Sequence, residues 1–113
     1  ERNLERMAQR AMMGLAKSGG IASNGSGDYV VAFSTNEGLR IPYSRPSQPL
    51  QKAEFLANDD MTALFMAVIE ATEEAIINSL FAAETLEGKG GRTVEALPKE
   101  KVLEWVISKR IRK

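Results

Sequence analysis

The stretch "SNGSGDYVVAFST", residues 23–35, decides how the chain is read. Its second part, "DYVVAFST", is β-branched and aromatic, is apolar at both even and odd positions, and is too short for a helix before the turn signal Asn36-Glu37-Gly38. Such a run predicts a strand covered on both faces, with layers above and below its sheet. The first part adds polar groups that no core needs. Side chains at i and i+2 of a strand share a face, so in an extended backbone the Ser26 hydroxyl and the Asp28 carboxylate stand side by side, ~6.5 to 7 Å apart at the backbone. Gly25 and Gly27 leave room for another backbone or a substrate. A carboxylate beside a hydroxyl can orient it and hold a proton. The same residue types also begin strands as turn formers without any catalysis.

Outward from this stretch, the order of elements is simple. Leu4, Met7, Ala8, Ala11 and Leu15 recur at helical spacing, and Ser18-Gly19-Gly20 ends the pattern. Residues 38–57 hold Pro42, Pro46 and Pro49 and read as an extended excursion with a short edge strand at Leu39 to Tyr43. From the cap signal Asn58-Asp59-Asp60 a run free of Gly and Pro continues to Glu87 and stops at Gly88. As one helix, at ~1.5 Å per residue, it would be roughly 40 Å long. Leu64, Phe65, Val68, Ile69, Ala75, Ile76 and Leu80 cover most of its girth, which predicts a helix sandwiched between neighbours. The turn "GKGGRT" lacks the spacing and the strand-to-helix context of a phosphate loop. Pro98 then opens a last helix with Val102, Leu103, Val106 and Ile107, where Trp105 is the expected packing anchor.

Composition narrows the function classes. Of 113 residues, 43% are hydrophobic and 27% charged, which describes an ordinary globular chain of one domain or part of one. Fifteen cations balance fifteen anions, so nucleic acid and membrane surfaces lose their usual driving force and are not expected partners. The basic ending, Lys109, Arg110, Arg112 and Lys113, reads as solvated cations at a helix C-terminus. The absence of Cys removes disulfides and thiolate chemistry, and the absence of His removes a Ser-His-Asp relay and the commonest transition-metal ligand. No apolar run reaches the ~18 residues of a membrane span. Glu1 stands directly before a helical pattern, with no initiator Met and no signal peptide, so the chain is expected to be a processed product or a piece of something longer.

Three segments in order, "GSGDYVVAFST", "EATEEAIINSLFAAET" and "ALPKEKVLEWV", resemble the carboxy-terminal part of the L-aminopeptidase/D-esterase family, which includes β-peptidyl aminopeptidases. The likeness runs from "LERMAQRAMMGLAKSGGI" onward and weakens in the proline-rich loop. Nylon-oligomer hydrolases and a pantetheine hydrolase are related, and ornithine acetyltransferases are more distant fold relatives. The resemblance implies an α/β (α+β) protein: an αββα sandwich similar to N-terminal nucleophile hydrolases, with ornithine acetyltransferase-like connectivity. It implies a precursor that cuts itself before a Ser or Thr, which then heads a smaller β chain and acts as the nucleophile. Residues 1–113 would form a single partial domain, the β-chain portion, completed by a larger α chain and by an N-terminal strand preceding Glu1. Ser26 and Asp28 match the acidic Ser-x-Glu motif that supports the nucleophile, with Asp one methylene shorter than Glu.

The expected function is therefore hydrolysis of N-terminal amino-acid amides or peptides through an acyl-enzyme, with no cofactor and no metal. An acyltransferase and a non-catalytic scaffold fragment are the alternatives. The implied partners are the α chain of the same precursor, further αβ units in a homo-oligomer, and a peptide or amide substrate. The cytoplasm is the expected compartment, with the periplasm as the alternative. Glu70, Glu73 and Glu74 lie on adjacent turns, and no Lys or Arg falls between Ala53 and Gly88. They could hold a substrate's free amine, but they are expected instead to be solvated or paired with cations from elsewhere.

Overall fold

A computed structural model of the chain describes residues 1–41, 43 and 52–111. It contains helices α1 (Arg2–Lys17), α2 (Met61–Ala82) and α3 (Lys99–Ile111), and a two-stranded sheet of β1 (Leu86–Glu87) and β2 (Thr93–Val94). Short 3-10 turns lie at Glu37–Leu39 and Asn58–Asp60. The chain divides into two compact units, Glu1–Glu73 and Glu74–Lys113, with α2 running through the boundary. Among the described residues no helix is long and apolar enough to cross a membrane.

In the first unit, α1 turns inward the face that its periodicity marks. Ala11 is buried, while Leu4, Met7, Ala8 and Leu15 are half-buried. The helix stops at a Schellman motif: the Gly19 N–H donates to the Ala16 carbonyl at 3.1 Å and the Gly20 N–H to the Leu15 carbonyl at 3.0 Å. Gly19 takes φ +100°, which has no steric cost without a Cβ. The Ser18 hydroxyl adds a third bond, to the Leu15 carbonyl at 2.7 Å.

Contacts between α1 and the first part of α2 advance together along both helices, so the two run side by side in parallel. The Arg6 guanidinium donates to Asn58 Oδ1 at 2.8 Å, and Arg6 and Arg10 lie 4.8 and 4.1 Å from the Phe65 ring centre. One turn on, Gly14 meets Ile69 and Thr72, and Lys17 pairs with Glu73. The half-buried face of α2 is accordingly Phe65, Val68, Ile69, Thr72 and Glu73. Close approach is possible because Gly14 has no side chain: a Cβ there would stand 2.6 Å from Thr72 Cβ and 2.7 Å from the Ile69 carbonyl oxygen. Met61, at the start of α2, is 1% exposed and is the most deeply buried side chain described.

The Lys17–Glu73 pair supplies the cation that the sequence around the three glutamates lacks. Hydrogen bonding to Glu73 raises the Lys17 pKa above its ordinary 10.5; desolvation opposes it, and the charges of Glu73 and then Glu70 add smaller upward contributions. A folded-state pKa above the unfolded one means that the pair's contribution is complete below about pH 10.5 and is lost as pH rises through the higher folded value. Thermal midpoints of the full-length protein and of Lys17→Met, measured from pH 8 to pH 12, are expected to differ at the lower end and converge at the upper end. A constant gap would contradict this.

The second unit corrects one expectation. The helix predicted to reach Glu87 ends at Ala82, and Leu86 and Glu87 pair antiparallel with Val94 and Thr93. Gly90 and Gly91, at φ +78° and +73°, turn the hairpin, and the Gly88 N–H donates to the Arg92 carbonyl at 2.7 Å. The Ala96 N–H closes the open end on Thr85 Oγ1 at 3.1 Å. Pairing with β-branched Thr93 and Val94 overrides the modest helix preference of Thr85-Leu86-Glu87. The last helix forms as expected, with the Val102 N–H reaching the Pro98 carbonyl at 3.2 Å. Its Trp105 is 66% exposed and carries Lys109 Nζ 4.6 Å from its ring centre, so within this chain it is no packing anchor.

The larger correction concerns residues 28–35, which form no strand here. Tyr29, Val31 and Phe33 are 94, 83 and 74% exposed. A strand exists only by pairing, and no described residue lies alongside to pair with this run. Leu64, Met66 and Leu80 of α2 are likewise 41 to 50% exposed, so this chain alone does not sandwich the helix. Of the expected edge strand at Leu39 to Tyr43, Leu39 belongs to a 3-10 turn and Pro42 lies outside the described residues.

Candidate functional site

Ser26 and Asp28 sit beyond α1 on a connection with left-handed backbone at Gly19, Ala22 and Gly25, with φ of +100°, +47° and +88°. In the turn at this connection's end, the Ser26 N–H donates to the Ser23 carbonyl at 2.9 Å. The turn presents the Ser26 hydroxyl to Asp28, and Ser26 Oγ donates to Asp28 Oδ2 at 3.2 Å. The two side chains that the spacing sets side by side are thus hydrogen-bonded, although the backbone that joins them, just past the turn at Asn24 and Gly25, forms no strand. Gly27 is open: a Cβ there would meet only the Tyr29 ring edge, at 3.8 Å.

Both side chains are solvent-exposed. A carboxylate accepting from a hydroxyl fixes where the hydroxyl proton points, leaving the oxygen's lone pairs free to accept from a third group. The arrangement can relay or orient a proton but supplies no nucleophile activated by a base of sufficient strength, since an isolated serine hydroxyl beside one carboxylate is a weak attacker. The clefts at Glu1, Arg2, Asn3, Phe55 and Leu56, and at Leu97 to Lys101, include neither residue. Among the described residues no group of three or more carboxylates could hold a metal ion. Glu73 is engaged by Lys17, while Glu70 and Glu74 are both exposed on the same helix.

Ala22 is a residue of this connection that sequence reasoning missed. Alanine reads as a helix former, and nothing in its neighbours announces a positive φ; the only signal is its place between two glycines that turn the chain the same way.

Residues 1–94 match peptidase family S58. The chain is 43% identical over 95 residues to the beta-peptidyl aminopeptidase BapA of Sphingosinicella microcystinivorans, covering 84% of this chain and 23% of that protein. It is 37% identical over 103 residues to the BapA of Sphingosinicella xenopeptidilytica, covering 88% and 24%. In structure it resembles the PH0078 protein from Pyrococcus horikoshii OT3, with a TM-score of 0.78 and 48% identity over 91% of this chain and 28% of that one. The chain therefore spans about a quarter of the length of the relatives it matches. With the family match running over residues 1–94, the chain belongs to peptidase family S58.

Proposed function

We propose that this chain is the carboxy-terminal part of the β chain of a self-processing aminopeptidase. The full protein hydrolyses N-terminal amino-acid amides or peptides. Its nucleophile is a Ser or Thr that precedes Glu1 and is freed when the precursor cuts itself. The nucleophile's oxygen attacks the substrate carbonyl, donors from the α chain hold the oxyanion, the carbon–nitrogen bond breaks, and the amine leaves with a proton. Water then hydrolyses the ester. Ser26 and Asp28 orient the nucleophile and take part in the proton's path, with Ser26 facing the reacting group and Asp28 fixing Ser26.

The observation that carries this reading is the hydrogen bond from Ser26 Oγ to Asp28 Oδ2 in a chain of a peptidase family. The exposed Tyr29, Val31 and Phe33 support the completing partner: in the assembled αββα sandwich this run becomes a strand, paired and covered by the α chain and by the strand preceding Glu1. The αβ units then associate into a homo-oligomer.

The test is partition of the acyl group. The full-length protein is incubated with an amino-acid amide in water, with and without a competing amine acceptor. Release of free amino acid as the main product supports the aminopeptidase. Transfer to the acceptor with negligible hydrolysis would make it an acyltransferase, and no turnover of either kind by the processed protein would leave a scaffold.

A further inference from the structure

Ala22 is the one non-glycine residue at positive φ among the described residues. An L-residue in this left-handed region brings its Cβ against the next carbonyl along the chain, so the conformation persists only where the surrounding chain holds it. The Ala22 side chain is exposed, so burial of its methyl does not explain the conformation. One residue further along begins the turn in which the Ser26 N–H meets the Ser23 carbonyl at 2.9 Å, and that turn delivers the Ser26 hydroxyl to Asp28. Gly19 and Gly25 reach positive φ without cost, whereas Ala22 does so against its own preference and at the centre of the connection.

We propose that Ala22 is a positioning residue for the aminopeptidase reaction: its left-handed backbone aims the turn that carries Ser26 and Asp28. It touches no reacting atom and acts through the direction it gives the chain. The inference rests on the proposed aminopeptidase function for its catalytic consequence, but not for its structural one. Position 22 should then tolerate residues by their ability to adopt positive φ and not by their size.

Asn and Val separate these properties, being of similar bulk while only Asn enters the left-handed region readily. In the full-length processed enzyme, Ala22→Val is expected to lower kcat about tenfold with KM unchanged, whereas Ala22→Asn and Ala22→Gly stay near the parent. Amide hydrogen exchange at Ser26 reads the same turn without any turnover. It should quicken about tenfold in Ala22→Val and be unchanged or slower in the other two. Unchanged exchange in Ala22→Val, or equal losses in Ala22→Val and Ala22→Asn, would overturn the proposal. A parent enzyme without amidase activity whose exchange follows the expected order would instead overturn the aminopeptidase function and leave the backbone role standing.

Discussion

Asp28→Asn in the correctly processed full-length enzyme is expected to lower the catalytic rate by roughly two orders of magnitude, the scale of general acid–base assistance. Ser26→Ala is expected to do the same, and the double variant to be little worse than either. The reason is the single bond between them, Ser26 Oγ to Asp28 Oδ2 at 3.2 Å. Residues that work through one another lose their joint contribution when either is removed, so their costs do not add. An amide at position 28 retains an acceptor oxygen but not the negative charge, and this separates catalysis from turn formation. If Asp28 only begins a strand, Asp28→Asn leaves turnover almost intact. Self-cleavage of the precursor should slow in the same variants, because the same nucleophile must be activated for it. Near-normal turnover of processed Asp28→Asn would remove the pair from the mechanism.

The second large effect lies where α1 packs on α2. Gly14→Ala would be favourable by about 1 kcal/mol in an isolated helix. Here its Cβ would stand 2.6 Å from Thr72 Cβ and 2.7 Å from the Ile69 carbonyl oxygen. Overpacking of this kind costs about 1–3 kcal/mol, and the carbonyl is backbone that cannot swing aside, which places the cost at the upper end. The expected net effect is a loss of about 2 kcal/mol of stability, read from the denaturant midpoint of the full-length protein. Thr72→Ser in the same background should recover little, since the Thr72 Cβ and the Ile69 carbonyl both remain in place. A midpoint equal to or above the parent's would show that the helices separate freely and that Gly14 does not set their distance.

How much of this was legible in the sequence depended on whether the determining interaction was local. The face of α1 and its stop at Ser18-Gly19-Gly20 could be read because helical spacing and a glycine cap act within one turn. The Ser26–Asp28 pair could be read because two residues with one between them meet in either a strand or a turn. The end of α2 could not: Leu86 and Glu87 look helical until Thr93 and Val94 are brought opposite by the glycine turn. The run 28–35 carries the pattern of a doubly covered strand, yet a pattern states only what a segment would bury, and pairing needs a neighbour that this quarter-length chain does not provide. The partner of Glu73 was hidden for a similar reason, since Lys17 is distant in sequence and meets it only through the parallel packing of α1 on α2.

The nucleophile is expected to head a chain of which residues 1–113 are a part. N-terminal sequencing and intact mass of the purified full-length protein, before and after rapid acid quenching of a reaction with an amino-acid amide, test it most directly. Two fragments are expected, the smaller containing Glu1 to Lys113 and beginning with a Ser or Thr ahead of Glu1, with the acyl group found on that first residue. A single uncut chain that still turns over substrate, or an acyl group on Ser26, would contradict it.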